Sequence, residues 1–173
     1  MKVYIIGYMG VGKTTLGKKL AKALGLPFTD LDAEIARIEN ASIATIFAEK
    51  GETYFREKER DLLSAFAEKS GSGLLSTGGG APVHFDNMDI MLNSGTVVWF
   101  TLVPGAIAAR VIGSKEKRPI LKGLSGEDLL RRITTHLAER SPYYSRAHLR
   151  FDTSDSNPQK ITTLADAIRD HSK

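Results

Sequence analysis

One short glycine-rich stretch near the start constrains this chain more than anything else in it. Gly7-Tyr-Met-Gly-Val-Gly-Lys13-Thr14 has the spacing G-x-x-x-x-G-K-[ST], in which glycines let the backbone curl until successive N–H groups face one anion. The flanks sharpen the motif. Residues 3–6 form an apolar run rich in β-branched side chains that ends at Gly7, as a buried parallel strand would. Residues 14–24 set Leu16, Leu20, Ala23 and Leu24 at helical spacing, with Gly25 as the stop and Pro27 just beyond. Strand, glycine loop and helix in that order make a phosphate cradle. Lys13 would reach the β- and γ-phosphates, the Thr14 hydroxyl suits magnesium, and the helix contributes its positive N-terminal dipole. A glycine turn with a chance lysine would account for neither flank.

The rest of the chain alternates in the same way. Strands are expected at 27–31, 74–76, 96–102 and 149–152, and helices at 43–50, 52–69, 86–92, 104–112, 125–140 and from Asn157-Pro158 onward. Ser42 and Asp86 are placed to cap two of these helices, and Gly51 to end one. Such alternation predicts an α/β fold with a mostly parallel sheet covered on both faces. The 173 residues show no internal repeat or interdomain linker, so a single domain is expected.

Composition removes several classes of function. With no cysteine there are no disulfides, no thiolate chemistry and no Cys-ligated zinc. His84, His136, His148 and His171 lack metal-ligand spacing and read as surface or incidental residues. A net charge of +4 without any block of basic residues suits an enzyme handling polyanions such as ATP, and no nucleic-acid partner is expected. The first apolar run is too short for a signal peptide or a membrane span, so the expected location is the cytoplasm.

Several polar residues stand out against this background. Asp30 and Asp32 end the second expected strand, where open α/β sheets place ligands. If the strand continues through them they share a face; one could hold a water of a magnesium shell and the other a substrate hydroxyl, or either could merely cap the next helix. Glu59 lies on the apolar stripe Phe55, Leu62, Leu63, Phe66, with Arg56 one turn earlier. An inward ion pair is costly unless satisfied or used, although residues 56–61 are all charged and could instead be a solvated face. Thr77-Gly78-Gly79-Gly80 after the third strand carries no acid; the glycines either admit a ligand close to backbone amides or simply turn the chain sharply. Lys115, Lys117, Arg118 and Lys122 crowd a loop with Gly113, Gly123 and Gly126 that could close over a triphosphate. The lysines read as solvated there, and Arg118 is set apart by the rigid Pro119 beside it.

Taken together, the chain resembles the shikimate kinases over nearly its whole length. The match lies in Gly7-Tyr-Met-Gly-Val-Gly-Lys-Thr-Thr15, Asp30-Leu-Asp32, Phe55-Arg56, Ser76-Thr-Gly-Gly-Gly80, Arg118-Pro119 and Arg140-Ser-Pro-Tyr-Tyr144. The first motif is shared by very many enzymes; the ordered set is far more specific. The resemblance implies a P-loop kinase three-layer α/β fold, with a five-stranded parallel sheet of order 2-3-1-4-5 and helices on both faces. Within a single domain over 1–173 it implies a substrate-binding part about 32–61 and a lid about 113–126. The implied reaction is ATP-dependent phosphorylation of the 3-hydroxyl of shikimate, on the route to chorismate and the aromatic amino acids.

The resemblance also assigns roles by position. Gly10, Val11, Gly12, Lys13, Thr14 and Thr15 would hold ATP, with Arg110 against adenine and Arg118 reaching the phosphates from the lid. Lys13, Asp32 and Arg118 would be catalytic, Asp32 as the base. Shikimate would be bound by Asp32, Arg56, Glu59, Gly78, Gly79, Gly80 and Arg140, the arginines gripping its carboxylate. Mg2+ would be held by Thr14 directly and by Asp30 through water. The implied partners are shikimate and ATP, without nucleic acid or membrane, and the implied state is a monomer. Ser156 departs from relatives with a basic residue before the Asn-Pro, which leaves the adenine contacts open. Two rival readings remain at this point: another small-molecule kinase such as a gluconate kinase, and a non-catalytic nucleotide-binding module. The second should have lost Lys13, Asp32 or an arginine, and none is lost.

Overall fold

Alternation within the first strand sets the architecture. In β1 (Lys2–Ile6), Val3 and Ile5 enter one apolar cluster while Tyr4 and Ile6 enter another. A strand with no polar face needs cover on both sides. The computed structural model, which describes residues 1–113, 126–154 and 157–172, supplies that cover. β2 (Phe28–Asp30), β3 (Gly73–Ser76), β4 (Thr96–Thr101) and β5 (Leu149–Asp152) complete a five-stranded sheet of order β2-β3-β1-β4-β5. Every pairing is parallel, as expected.

On one face lie α1 (Lys13–Leu24), α5 (Pro104–Gly113) and α7 (Pro158–His171), burying Leu16, Leu20, Ile107, Ile161, Leu164 and Ile168 against Val3, Ile5, Leu74 and Phe100. The other face is covered by α2 (Leu31–Glu39), α3 (Ile43–Glu68) and α4 (Asn87–Ser94), through Leu31, Ile35, Leu63, Met88 and Met91. α6 (Gly126–Tyr144) serves both: Leu129 and Ile133 join the first cluster and Tyr144 the second. Each such aliphatic side chain contributes about 1.5–3 kcal/mol when fully buried. Among the described residues no helix is long and apolar enough to cross a membrane.

Several local expectations change in instructive ways. Helices 43–50 and 52–69 follow one another within α3, and the break between them falls at Gly51 as expected, where φ 83° and ψ 172° are not helical. Ser42 caps it as expected, its hydroxyl accepting from Thr45 N at 3.0 Å. Asp86 precedes α4 without capping it, because its carboxylate is taken by Arg60 at 2.7 and 3.0 Å. β2 stops at Asp30, whose carboxylate accepts from Ala33 N at 3.3 Å and starts α2. Asp32 is therefore a first-turn helical residue, and the argument that it shares a strand face with Asp30 fails. α6 runs past Arg140 through Pro142 to Tyr144, with Ser145 N still donating to Ser141 O at 2.9 Å. The expectations for Ser125, for Ser156 and for most of the lid, Arg118 included, fall outside the described residues.

Candidate active site

The carboxyl ends of β1, β2 and β3 deliver the site. After β1 the loop turns on glycines that nothing else could replace. Gly7 has φ +140°, and a Cβ on it would lie 2.4 Å from Phe100 O. Gly12 has φ +94° and precedes α1 with no side chain capping the helix; the residues of that first turn line the central cleft. Lys13 Nζ donates to Gly7 O at 2.8 Å and Tyr8 O at 3.0 Å, so the loop's own carbonyls hold its cation over the curl. Arg110 on α5 braces the loop from behind. Its Nη1 donates to Gly10 O and Val11 O at 3.4 and 3.3 Å, and its Nη2 to Thr153 O at 3.1 Å.

The next two elements add oxygen donors. Thr14 Oγ1 donates to Asp30 Oδ2 at 2.7 Å, which brings a hydroxyl and a carboxylate together beside the phosphate loop. All-oxygen sites with few protein ligands are what Mg2+ uses when phosphates and waters complete its shell. Among the described residues no group of three or more His, Cys, Asp or Glu could hold a metal alone.

Across the cleft lies a buried ionic cluster. Arg56 donates to Glu52 Oε1 from Nε at 3.1 Å and from Nη2 at 2.9 Å, and from Nη1 to Glu59 Oε2. The guanidinium also stands over the Phe55 ring at 5.2 Å. Glu59 is fully buried. Burial pushes its carboxyl up to about 7, with the neighbouring Asp32 adding to the rise and Arg56 opposing it. Among the described residues, Oε1 of Glu59 and Nη1 of Arg140 are buried without a hydrogen-bond partner. Buried polar atoms in native proteins nearly always find partners, so these two point to an absent polar ligand.

Gly78, Gly79 and Gly80 meet this cluster one by one. A Cβ on Gly78 would lie 2.5 Å from Glu59 Oε1 and 2.9 Å from Asp32 Oδ1. One on Gly79 would lie 3.3 Å from Met9 N and 3.4 Å from Arg140 Nη1, and one on Gly80 2.7 Å from Arg56 Nη2. The glycines make room for charged side chains as well as for any ligand, and Gly79 touches both the phosphate loop and Arg140. Tyr144 closes the group by donating to Gly79 O. Its phenol, pushed by burial up to about 12, stays a donor.

Of the expected site residues that the structure describes, all but Val11 line one cleft of 1420 Å³. Val11 is buried beneath it and presents only its backbone. Sequence reasoning missed Glu52, which its position four residues before Arg56 could have disclosed. It also missed Tyr144, Tyr8 and His136, whose partners are distant in sequence. His136 is not a surface residue: it is buried with Nδ1 2.9 Å from the Tyr8 hydroxyl. Nor is His148 incidental, since its Nδ1 accepts from Val97 N at 3.0 Å.

The chain is similar to known proteins along nearly its whole length. The profile of the family described as shikimate kinase matches residues 9–169. A shikimate kinase of Parabacteroides distasonis is 48% identical over 165 residues, covering 95% of this chain and 92% of that one. Among solved structures, a shikimate kinase from Bacteroides thetaiotaomicron superposes with a TM-score of 0.87 at 35% identity, over 99% of this chain and 97% of the other. A second, from Acinetobacter baumannii in complex with shikimate, gives 0.83 at 32% identity over 98% and 91%.

Proposed function

This chain belongs to the shikimate kinase family, and from that premise we propose that it transfers the γ-phosphoryl group of ATP to the 3-hydroxyl of shikimate. The observation that supports this reading is the juxtaposition in one cleft of a glycine-rich loop with its lysine and of the two arginines Arg56 and Arg140. Gly79 adjoins the loop and Arg140.

The proposed division of labour is supported by the placement of these residues in one cleft. The N–H groups of residues 10–15 and the Lys13 ammonium hold the phosphates and offset charge developing on the transferred group. Arg140 Nη1, buried and unpartnered among the described residues, and Arg56 take the substrate carboxylate in charge-assisted hydrogen bonds. With that end fixed, the ring hydroxyls fall toward Asp32 and Glu59 beside Gly78. Asp32 accepts the hydroxyl proton as the substrate oxygen bonds to the γ-phosphorus; the bond from that phosphorus to the β–γ bridging oxygen breaks, and ADP leaves. Thr14 and Asp30 are the residues that would hold Mg2+, the aspartate through water. Bound there, the ion would neutralise phosphate charge. Arg110 stands ready at the adenine end, where its grip on Gly10, Val11 and Thr153 carbonyls fixes its plane. The protein is proposed to work in the cytoplasm as a monomer, without nucleic acid.

Calorimetry and steady-state kinetics on two variants test these roles. Arg140→Ala is expected to weaken shikimate binding by about 2–5 kcal/mol while ATP binding is kept. Asp32→Asn is expected to lower turnover by about a hundredfold to ten-thousandfold with little change in shikimate affinity. Wild-type shikimate affinity in Arg140→Ala, or full turnover in Asp32→Asn, would overturn the corresponding assignment.

A further inference from the structure

Tyr8 occupies a position of the phosphate loop where any residue satisfies the motif, yet its side chain is fully buried. It points away from the phosphates toward α6. Its hydroxyl is 2.9 Å from His136 Nδ1, and the Arg140 guanidinium stands 5.2 Å from the centre of its ring. His136 and Arg140 are one helical turn apart, so a single aromatic side chain engages two successive turns of α6. Burial and the nearby charges of Arg132 and Arg140 hold His136 below the usual histidine range. The imidazole is thus neutral, and its Nδ1 shares one hydrogen bond with the phenol, the tautomer deciding which of the two donates. At the other end of the same residue, Tyr8 O accepts from Lys13 Nζ at 3.0 Å.

We propose that Tyr8, locked by His136, is a positioning residue that sets the Arg140 guanidinium for the substrate carboxylate. Arg140 has several rotatable bonds and one buried nitrogen, Nη1, with no hydrogen bond among the described residues; the Tyr8 ring lies beneath the guanidinium, Gly79 lies beside it, and the Tyr144 hydroxyl pairs with it. A cation over an aromatic face is attracted to it, but the ring can serve as a platform only while its own tilt is fixed. The hydroxyl bond to His136 fixes that tilt against the very helix that carries Arg140. Gly79 packs on Met9 N and Gly7 O, the neighbours of Tyr8, so the platform and the glycine wall move together. Lys13 is tied to the Tyr8 carbonyl and not to its side chain, so loss of the hydroxyl leaves the nucleotide side in place.

The inference rests on the reading of Arg140 as the carboxylate contact, and the test separates the two. Apparent KM for shikimate and for ATP, with kcat, is measured for wild type, Tyr8→Phe, His136→Leu and His136→Asn, and for Tyr8→Phe in an Arg140→Ala background. Tyr8→Phe is expected to raise the shikimate KM roughly three- to tenfold, the scale of one lost buried hydrogen bond, with ATP KM and kcat within about twofold. His136→Leu should reproduce this. His136→Asn places an amide oxygen where Nδ1 stood, and should restore values close to wild type. In the Arg140→Ala background Tyr8→Phe should add nothing, because the residue through which it acts is gone. An unchanged shikimate KM in both Tyr8→Phe and His136→Leu, an equal rise in ATP KM, or a full additional rise in the Arg140→Ala background would overturn the proposal. If Tyr8→Phe does not fold, the two His136 variants decide alone: a shared loss without rescue by asparagine overturns it. Absence of shikimate turnover in the wild type would instead defeat the assigned activity.

Discussion

Glu59 shows how far a single side chain can be read from its surroundings. Its carboxyl, ordinarily near 4.5, is pushed by burial up to about 7. Between those values the folded protein holds a proton that the unfolded chain releases, so the contribution of Glu59 to stability is fully present below about 4.5. It is lost as pH rises through about 7. Urea unfolding of wild type and Glu59→Gln at pH 5 and pH 8 checks this. The wild type should lose more stability than the variant on going to pH 8; parallel losses would show that Glu59 is ionised throughout. At this scale the sequence was a good guide wherever partners are local. Lys13 and Thr14 were legible from loop spacing; Arg56 and Glu59 stood out as a polar pair on an apolar stripe, but that pattern left a solvated face open and their roles came from the resemblance. Tyr8 was not, because its partner His136 is 128 residues away and no periodicity records such a contact.

Among the elements, the turn after β3 decides most. The expectation that Gly78, Gly79 and Gly80 bring a ligand near the backbone is now joined by a steric reason, since each abuts an ionic side chain of the cleft. Gly80→Ala would place a methyl 2.7 Å from Arg56 Nη2, and Arg56 cannot retreat without breaking its bonds to Glu52 and Glu59. Such crowding costs about 1–3 kcal/mol of stability. Denaturation should register that loss, and calorimetry should show shikimate binding weakened at least tenfold with ATP binding intact. Wild-type stability and affinity would mean that Arg56 has room to move. Element types were legible through most of the described residues because apolar runs and a helical period of 3.6 differ plainly, but α2 (Leu31–Glu39) was not among the expected helices. Ends were less legible. Asp30 and Asp32 read as the end of the second strand, with a cap on the next helix as the alternative, and the Asp30 cap on Ala33 N, a contact made after the chain turns, places the boundary between them.

For the whole molecule, alternation of strands and helices was enough to predict a parallel sheet covered on both faces, while the strand order came from the resemblance alone. Local periodicity says which residues face a core and nothing about which strand lies beside which. The order matters for function: with β1 between β3 and β4, the phosphate loop lies beside the glycine turn of β3, and α6 spans both apolar clusters to bring Arg140 over the same cleft. The proposed acceptor, with a carboxylate and ring hydroxyls, is suited to that arrangement. The direct test is coupled ADP release with magnesium-ATP, measured in parallel with shikimate, quinate, gluconate and AMP. The expected result is rapid turnover that depends on shikimate, with gluconate and AMP inert. Turnover with gluconate or AMP and none with shikimate would contradict the account.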